Sequence, residues 1–239
     1  MLTSDPWLSD ILDRPVYKLT VGESFEEKAK DSNNHEYTVL KSKPLFVYAK
    51  TLSDKHSEVK VLENLGFHLV ETNIVFNRPI SLTPQLADNC EIRFALPADE
   101  IQVVDLAGRT IVYSRFHQDD NFTKEIADKI KGEWVRNYFF GKRGQAMVVG
   151  VINKLVVGFL QLFIDGKDGI MRIDLIGVDK NYQRKGIGKD MISFAEADCK
   201  GIKECWVGTQ IANIPSIRFY QSLGFKMKES SYIFHYHNL

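Results

Sequence analysis

The chain has 239 residues, 44% of them hydrophobic and 26% charged, which marks a globular protein long enough for two small domains or one large one. Its 31 basic and 31 acidic residues cancel, so neither nucleic acid nor an acidic membrane surface is expected as the main partner, and any anion site has to be local. The three cysteines, Cys90, Cys199 and Cys205, are scattered, with no CxxC spacing and no histidine nearby, a pattern of cytoplasmic usage in which no metal is expected.

The opening stretch, MLTSDPWLSDILDRP, is acidic and lacks the basic region and apolar run of a secretory signal, in keeping with a cytoplasmic location. The charged segment VGESFEEKAKDSNNHEY reads as a loop or a weak helix. LFVYAK then reads as a strand, DKHSEVKVLENL as a helix with Val59, Leu62 and Leu65 on one face, and HLVETNIVF as a strand. Pro79 and Pro84 bracket PISLTP, after which CEIRFALPADEIQVVDLAGRT begins a fresh strand, turn and amphipathic helix, so a domain boundary is expected near residue 85. Residues 1–85 then form a small α/β domain without recognisable chemistry, a scaffold, and residues 86–239 the larger domain.

Downstream the pattern predicts a strand at 91–95, a helix at 99–109, an aromatic-rich insert at 113–143, a hairpin at 146–164, a strand at 170–178, a helix at 186–199, a strand at 203–209, a helix at 215–223 and a last strand at 226–236. The most membrane-like stretch, AMVVGVINKLVVGFLQLFI, is broken by Asn153 and Lys154, so two strands joined by an Asn-Lys turn explain it better than a membrane span. Alternation of this kind makes an α/β fold with a mixed sheet.

One motif occurs twice. Leu65, Gly66, Phe67, Glu71 and Phe76 align without a gap on Leu223, Gly224, Phe225, Glu229 and Phe234. Helix–Gly–strand junctions draw on few residue types, because a leucine closes the helix, a glycine takes the left-handed cap and an apolar residue enters the strand. Chance is therefore one explanation, and a degenerate internal duplication the other, with a first copy that lacks the glycine-rich piece of the second.

That piece lies in MRIDLIGVDKNYQRKGIGKDMISFAEADCK, where a strand runs through a loop into QRKGIG at the start of a helix. Glycines at 186 and 188 let the amides of residues 184–189 converge, the helix N-terminus adds partial positive charge, and Arg184, Lys185 and Lys189 reinforce it, so the constellation suits a phosphate or pyrophosphate. The spacing matches neither GxxxxGK[ST] nor GxGxxG, and alone it is equally a tight turn capping a helix.

Together with Asn213, Tyr220 and the second LGF in NIPSIRFYQSLGF, the loop resembles the Gcn5-related N-acetyltransferase (GNAT) family over residues 91–236. The resemblance implies a mixed, mostly antiparallel twisted sheet with flanking helices and acetyl-CoA as co-substrate. Gln183, Arg184, Lys185, Gly186, Ile187, Gly188 and Lys189 would hold the pyrophosphate, Ile176, Gly177 and Val178 the pantetheine arm through their backbone, and Asn213 either the arm or the cap of its helix. Tyr220 would protonate the departing thiolate, while Phe219 beside it looks the better core residue. Asp174, on the central strand, is the candidate base or anchor of a water relay; the glutamate of some members falls on Arg172, so that role does not carry over.

The insert supplies the acceptor candidates Tyr113, Arg115, Phe116, His117, Trp134 and Arg136, whose mixture of cations and rings suits an anionic, ring-bearing acceptor. A helix from Thr123 to Phe140 accounts for part of this aromatic content as core. SRF, GEWVRN, LGFHLVETNIVFNRPI and ESSYIFHY look like the sugar-nucleotide branch of the family, which acetylates dTDP-4-amino-4,6-dideoxyhexoses for surface polysaccharides such as enterobacterial common antigen and lipopolysaccharide. A nucleotide-linked amino sugar is the acceptor so implied; a homodimer, another small amine or peptide N-terminus, and a non-catalytic acyl-CoA sensor stay open.

Overall fold

The computed structural model describes residues 1–22, 35–81 and 90–239. The boundary expected near residue 85 and most of the charged segment before Tyr37 lie outside the described residues. In chain order the elements are β1 (Leu2–Ser4), α1 (Pro6–Leu12), β2 (Val16–Leu19), α2 (His35–Leu40), β3 (Leu45–Leu52), α3 (His56–Asn64), β4 (His68–Pro79), β5 (Glu91–Phe94), α4 (Glu100–Thr110), α5 (Lys124–Phe139), β6 (Ala146–Ile152), β7 (Leu155–Asp165), β8 (Ile170–Val178), α6 (Ile187–Asp198), β9 (Glu204–Gln210), α7 (Ile214–Ser222) and β10 (Lys226–Asn238).

These strands make one sheet in the order β1-β2-β3-β10-β4-β9-β8-β7-β6-β5, antiparallel except at β2–β3 and β8–β9. The last strand of the chain therefore lies between two strands of its first third. The order also explains the doubled LGF. Helix α3 and helix α7 occupy equivalent positions at the constant offset of that repeat, Gly66 and Gly224 both take left-handed φ values of 85° and 82°, and β4 and β10 follow. In the β4–β10 ladder Asn73 faces Ser231, its own counterpart in the repeat. Outward from that point Phe76 faces Val207 on one side while Phe234 faces Ala49 on the other, again counterpart for counterpart. The two copies are thus related by a local twofold axis between β4 and β10, and each sends its last strand into the other copy's sheet.

Alternation along the hairpin of β6 and β7 sends side chains to opposite faces. Met147 and Val149 pack with Val103 and Leu106 of α4, whereas Val148 and Leu160 pack with Ile187 and Met191 of α6. Helix α6 can press this close because Gly150 and Gly158 lack side chains; a Cβ there would lie 3.0 Å from Ile187 and from Met191 respectively. The Asn153-Lys154 turn has φ values of 51° and 66°, the left-handed pair that a two-residue hairpin loop requires.

Candidate active site

The cleft begins where β8 and β9 part. They pair only from Ile170–Glu204 to Ile173–Val207. At the next residue, Asp174, β8 bulges against β7, since Gln161 faces Leu175 and Leu162 faces Ile173, leaving Asp174 the extra residue. The bulge bends β8 away from β9 and opens the sheet. Asp179 N–H donates to Val157 O at 2.8 Å, so by the alternation of an antiparallel ladder the backbone groups of Ile176 and Val178 face the β9 side, into the opening. Gln183 Nε2 donates to Val178 O at 3.0 Å and leaves the Val178 N–H as the group aimed at the cleft. Gly177 is set by packing, because a Cβ would lie 2.6 Å from both Phe159 and the Thr110 hydroxyl.

Past β8 the chain reaches the N-terminus of α6. Gln183, Arg184, Lys185 and Gly186 are exposed, and Arg184 and Gly186 have φ values of 61° and 86°. Gly186 is the N-cap and offers no side-chain oxygen, so the first amides of α6 are not capped by that residue. Gly188 admits Phe219 of α7, whose ring would sit 3.1 Å from an added Cβ. Asn213 caps α7 by accepting from Ser216 N–H at 3.2 Å, which accounts for it without the pantetheine arm.

Tyr220 departs from the expected division of labour with Phe219. It is the buried one, 3% exposed, among Phe76, Phe219 and Phe225, while Phe219 is only half-buried. The helix turns Tyr220 toward the strands and Phe219 toward α6. Burial, with the neighbouring Cys205, pushes the phenol above its ordinary range, so it holds its proton.

The acceptor candidates divide. Arg115, Phe116 and Trp134 line a cavity of about 330 Å³, with Trp7 and Tyr48 from the N-terminal segment and Arg143 from beyond α5. Tyr113 is exposed and does not line it. His117 bonds Ser114 Oγ at 2.7 Å and Asp128 at 2.9 Å and so fixes the loop onto α5; burial lowers its pKa. Arg136 pairs with Glu133 and Glu100 away from the cavity. Both latter residues find carboxylates on their own or the adjacent helix, a pairing that aromatic content could not reveal.

Asp174 is engaged as well. Arg143 grips both its oxygens at 2.7 Å, and Gln161 Nε2 adds a bond at 3.0 Å, a bidentate lock with a third bond that takes up most of the carboxylate's roughly four lone-pair sites. A different carboxylate lies beyond the end of the β4–β9 pairing. Glu71 on β4 is two residues past the last β4–β9 pair, Asn73–Gln210, is 8% exposed, and leaves Oε2 buried without a partner. Burial raises its pKa to about 7 against the opposing pull of Arg115, Gln210, Lys131 and Lys50. Lys131 is pushed down to about 7 by burial and by Arg115, and sits over Trp134 at 4.1 Å. Arg115 stacks on Tyr48 at 3.9 Å. Sequence reading missed Glu71 because it belongs to the copy that looked inert; the repeated glutamate was the available signal. Its counterpart Glu229 is exposed.

The family model of the acetyltransferase (GNAT) family matches residues 113–225. Residues 113–225 are a GNAT acetyltransferase domain. Enzymes of this family are acyl-CoA-dependent N-acyltransferases and use acetyl-CoA. The spore coat polysaccharide biosynthesis protein SpsD of Bacillus subtilis (strain 168) is 27% identical over 162 residues, 65% of this chain and 55% of that protein, so the chain spans little more than half of that curated relative. A functionally unknown conserved protein from Staphylococcus epidermidis ATCC 12228 shares the fold at a TM-score of 0.65 and 13% identity, over 94% of this chain and 84% of its own. A tandem GNAT protein from the clavulanic acid biosynthesis pathway does so at 0.57 and 11%, over 80% and 64%. The GNAT domain here occupies the half of the sheet that carries the cleft, and no helix among the described residues is long and apolar enough to cross a membrane.

Proposed function

We propose that the chain transfers the acetyl group of acetyl-CoA to the amino group of a nucleotide-linked amino sugar, of the dTDP-4-amino-4,6-dideoxyhexose class, for surface polysaccharide synthesis. The observation that carries this reading is the cavity beside the parted strands, where Arg115 and Arg143 stand among Trp7, Tyr48, Phe116 and Trp134. Guanidinium groups suit a pyrophosphate and flat rings suit a base, a combination a peptide or small amine has no use for. The polysaccharide-related name of the Bacillus relative points the same way.

In this reading the pyrophosphate of the coenzyme rests on the amides at the start of α6, with Arg184, Lys185 and Lys189 nearby. The pantetheine arm lies along β8 in the place of a further strand, bonded to the backbone of Ile176, with the Val178 N–H left for the acyl carbonyl. Glu71 takes a proton from the acceptor ammonium, and the freed lone pair attacks the thioester carbon. The C–N bond forms as the carbonyl electrons move to oxygen, where the Val178 N–H stabilises them; one such donor is worth about 3 kcal/mol of barrier. The oxyanion then collapses, the C–S bond breaks, the second proton that the newly bonded nitrogen must lose passes through water toward the leaving thiolate, and Tyr220 presents its hydroxyl to that sulfur. A free thiol titrates near 8.5, below an ordinary phenol at about 10, so complete transfer from Tyr220 is uphill by about 2 kcal/mol or more. Its contribution is therefore a hydrogen bond to the nascent thiolate, with water making good the proton. The N-terminal segment supplies one wall of the acceptor cavity and the base.

The test is mass spectrometry of the protein with acetyl-CoA and a panel of dTDP- and UDP-amino sugars, peptides and simple amines. We expect an acetylated dTDP-4-amino-4,6-dideoxyhexose. Acetylation of peptides or simple amines alone would overturn the acceptor class, and coenzyme binding without turnover on any amine would overturn the enzyme.

A further inference from the structure

Three histidines from distant parts of the chain surround one carboxylate. His68 stands at the start of β4, His235 and His237 near the end of β10, and Asp119 in the loop between α4 and α5 that also carries Arg115 and Phe116. Asp119 Oδ1 accepts from the backbone and side-chain nitrogens of Asn121 at 3.0 and 2.9 Å. Its Oδ2 faces His235 Nδ1 at 2.6 Å, His237 Nε2 at 2.8 Å and His68 Nε2 at 3.8 Å. A carboxylate oxygen has two lone pairs, so three imidazole nitrogens aimed at it are one more than it can satisfy as hydrogen-bond acceptor.

We propose that His68, Asp119 and His237 form a site for a divalent transition metal of the zinc class, with His235 as a hydrogen-bond donor that orients Asp119. The three ligand atoms lie within 4.8 Å of one another. Metal–ligand distances of about 2.0–2.2 Å set tetrahedral ligand atoms about 3.3 Å apart, inside the spread of separations observed, so closure needs shifts of an ångström or so. Two imidazoles and one carboxylate are borderline donors that favour zinc over magnesium or calcium, which require more oxygens. Asp119 and His237 are buried, whereas the His68 side chain is 48% exposed, which gives the ion an entry path and a fourth position open to water. Phe46 stacks on His237 at 4.8 Å and Phe122 meets it edge-on, so the ring is already held. Arg14, stacked on Phe122 at 5.5 Å, is the cation that acts on Asp119 in the metal-free protein. A bound ion would tie the loop bearing Arg115 and Phe116 to β4 and β10, a structural role separate from acyl transfer. Sequence reading, which sought metals only around cysteines, expected none; the ligands are brought together by the pairing of His68 with His235 across β4 and β10.

The full chain, stripped with a chelator, is titrated with Co²⁺ and Zn²⁺ while visible absorption and melting temperature are followed. We expect one equivalent of Co²⁺ to give ligand-field bands that Zn²⁺ displaces, and Zn²⁺ to raise the melting temperature. His68→Ala, at a half-exposed position that leaves the fold intact, should weaken binding by at least about tenfold and abolish the thermal shift. Asp119→Asn should do the same. Absence of both bands and shift in the parent chain, or equal binding by His68→Ala, overturns the proposal.

Discussion

Glu71 is where a single residue carries the most weight. Its carboxyl is raised to about 7 by burial, so the unprotonated, base-competent form grows as pH rises through neutrality. The rate constant should rise across that window, and Glu71→Gln should flatten the profile and lower turnover about a hundred- to ten-thousand-fold while leaving coenzyme affinity alone. Linkage sets the opposite sign for stability. A carboxyl whose folded pKa exceeds its unfolded one favours folding below the unfolded value and loses that contribution as pH climbs through about 7. Activity should therefore rise between pH 5 and 8 as the Glu71 contribution to stability falls, and the glutamine variant should lose both, leaving the opposite-signed contribution of Lys131, which is pushed down to about 7. Tyr220 gives a second test. Tyr220→Phe keeps the ring among Phe76 and Phe225 and removes only the hydroxyl, so a fall in turnover of about a hundredfold with a nearly unchanged melting temperature is expected. An unchanged rate would remove Tyr220 from stabilisation of the departing thiolate.

At the level of elements, the proposed coenzyme site falls at the junction of β8 with α6. The bulge at Asp174 turns β8 aside, the exposed backbone of the following loop takes left-handed conformations at Arg184 and Gly186, and the N-cap of α6 is a glycine without a capping side chain. Replacing Gly186 by valine forces a β-branched residue to φ 86°, a strain of about 1–2 kcal/mol or more, and places a side chain over the amides. The Michaelis constant for acetyl-CoA should rise at least tenfold and that for the acceptor little; equal effects would mean that the loop serves something else. The Asn-Lys turn, the amphipathic helices and this loop were legible in sequence because each depends on local conformation. The salt bridges that claim Asp174, His117 and Arg136 were not, since each partner is set by neighbouring elements.

For the molecule as a whole, the exchange of last strands between the two copies decides what can be removed. β10 is hydrogen-bonded to β3 on one side and β4 on the other, and Phe234 is buried against the core of the N-terminal copy. A chain reduced to residues 86–239 loses both neighbours of β10, unpairs the edge of β9 that faces β4, and should be insoluble or molten, as circular dichroism and gel filtration would reveal. It should also be inactive if refolded, because Glu71, Tyr48 and Trp7 go with the deleted segment. A soluble, active truncated chain would refute this account.

The sequence by itself determined the elements from β3 onward and their order, and offered a repeat as one of two explanations of the doubled LGF, because turn chemistry, hydrophobic period and glycine placement act over a few residues; β1, α1 and β2 were not legible in it. It also pointed to the family whose model matches residues 113–225, since the QRKGIG loop, Asn213, Tyr220 and LGF keep fixed spacing along the chain. Only the tertiary structure decided that the two LGF units face each other across an axis, that the buried glutamate Glu71 belongs to the first of them, and that Asp119 collects three histidines. Those relations join residues far apart in the chain through strand pairing, and pairing partners are chosen by the burial of whole faces rather than by any local pattern.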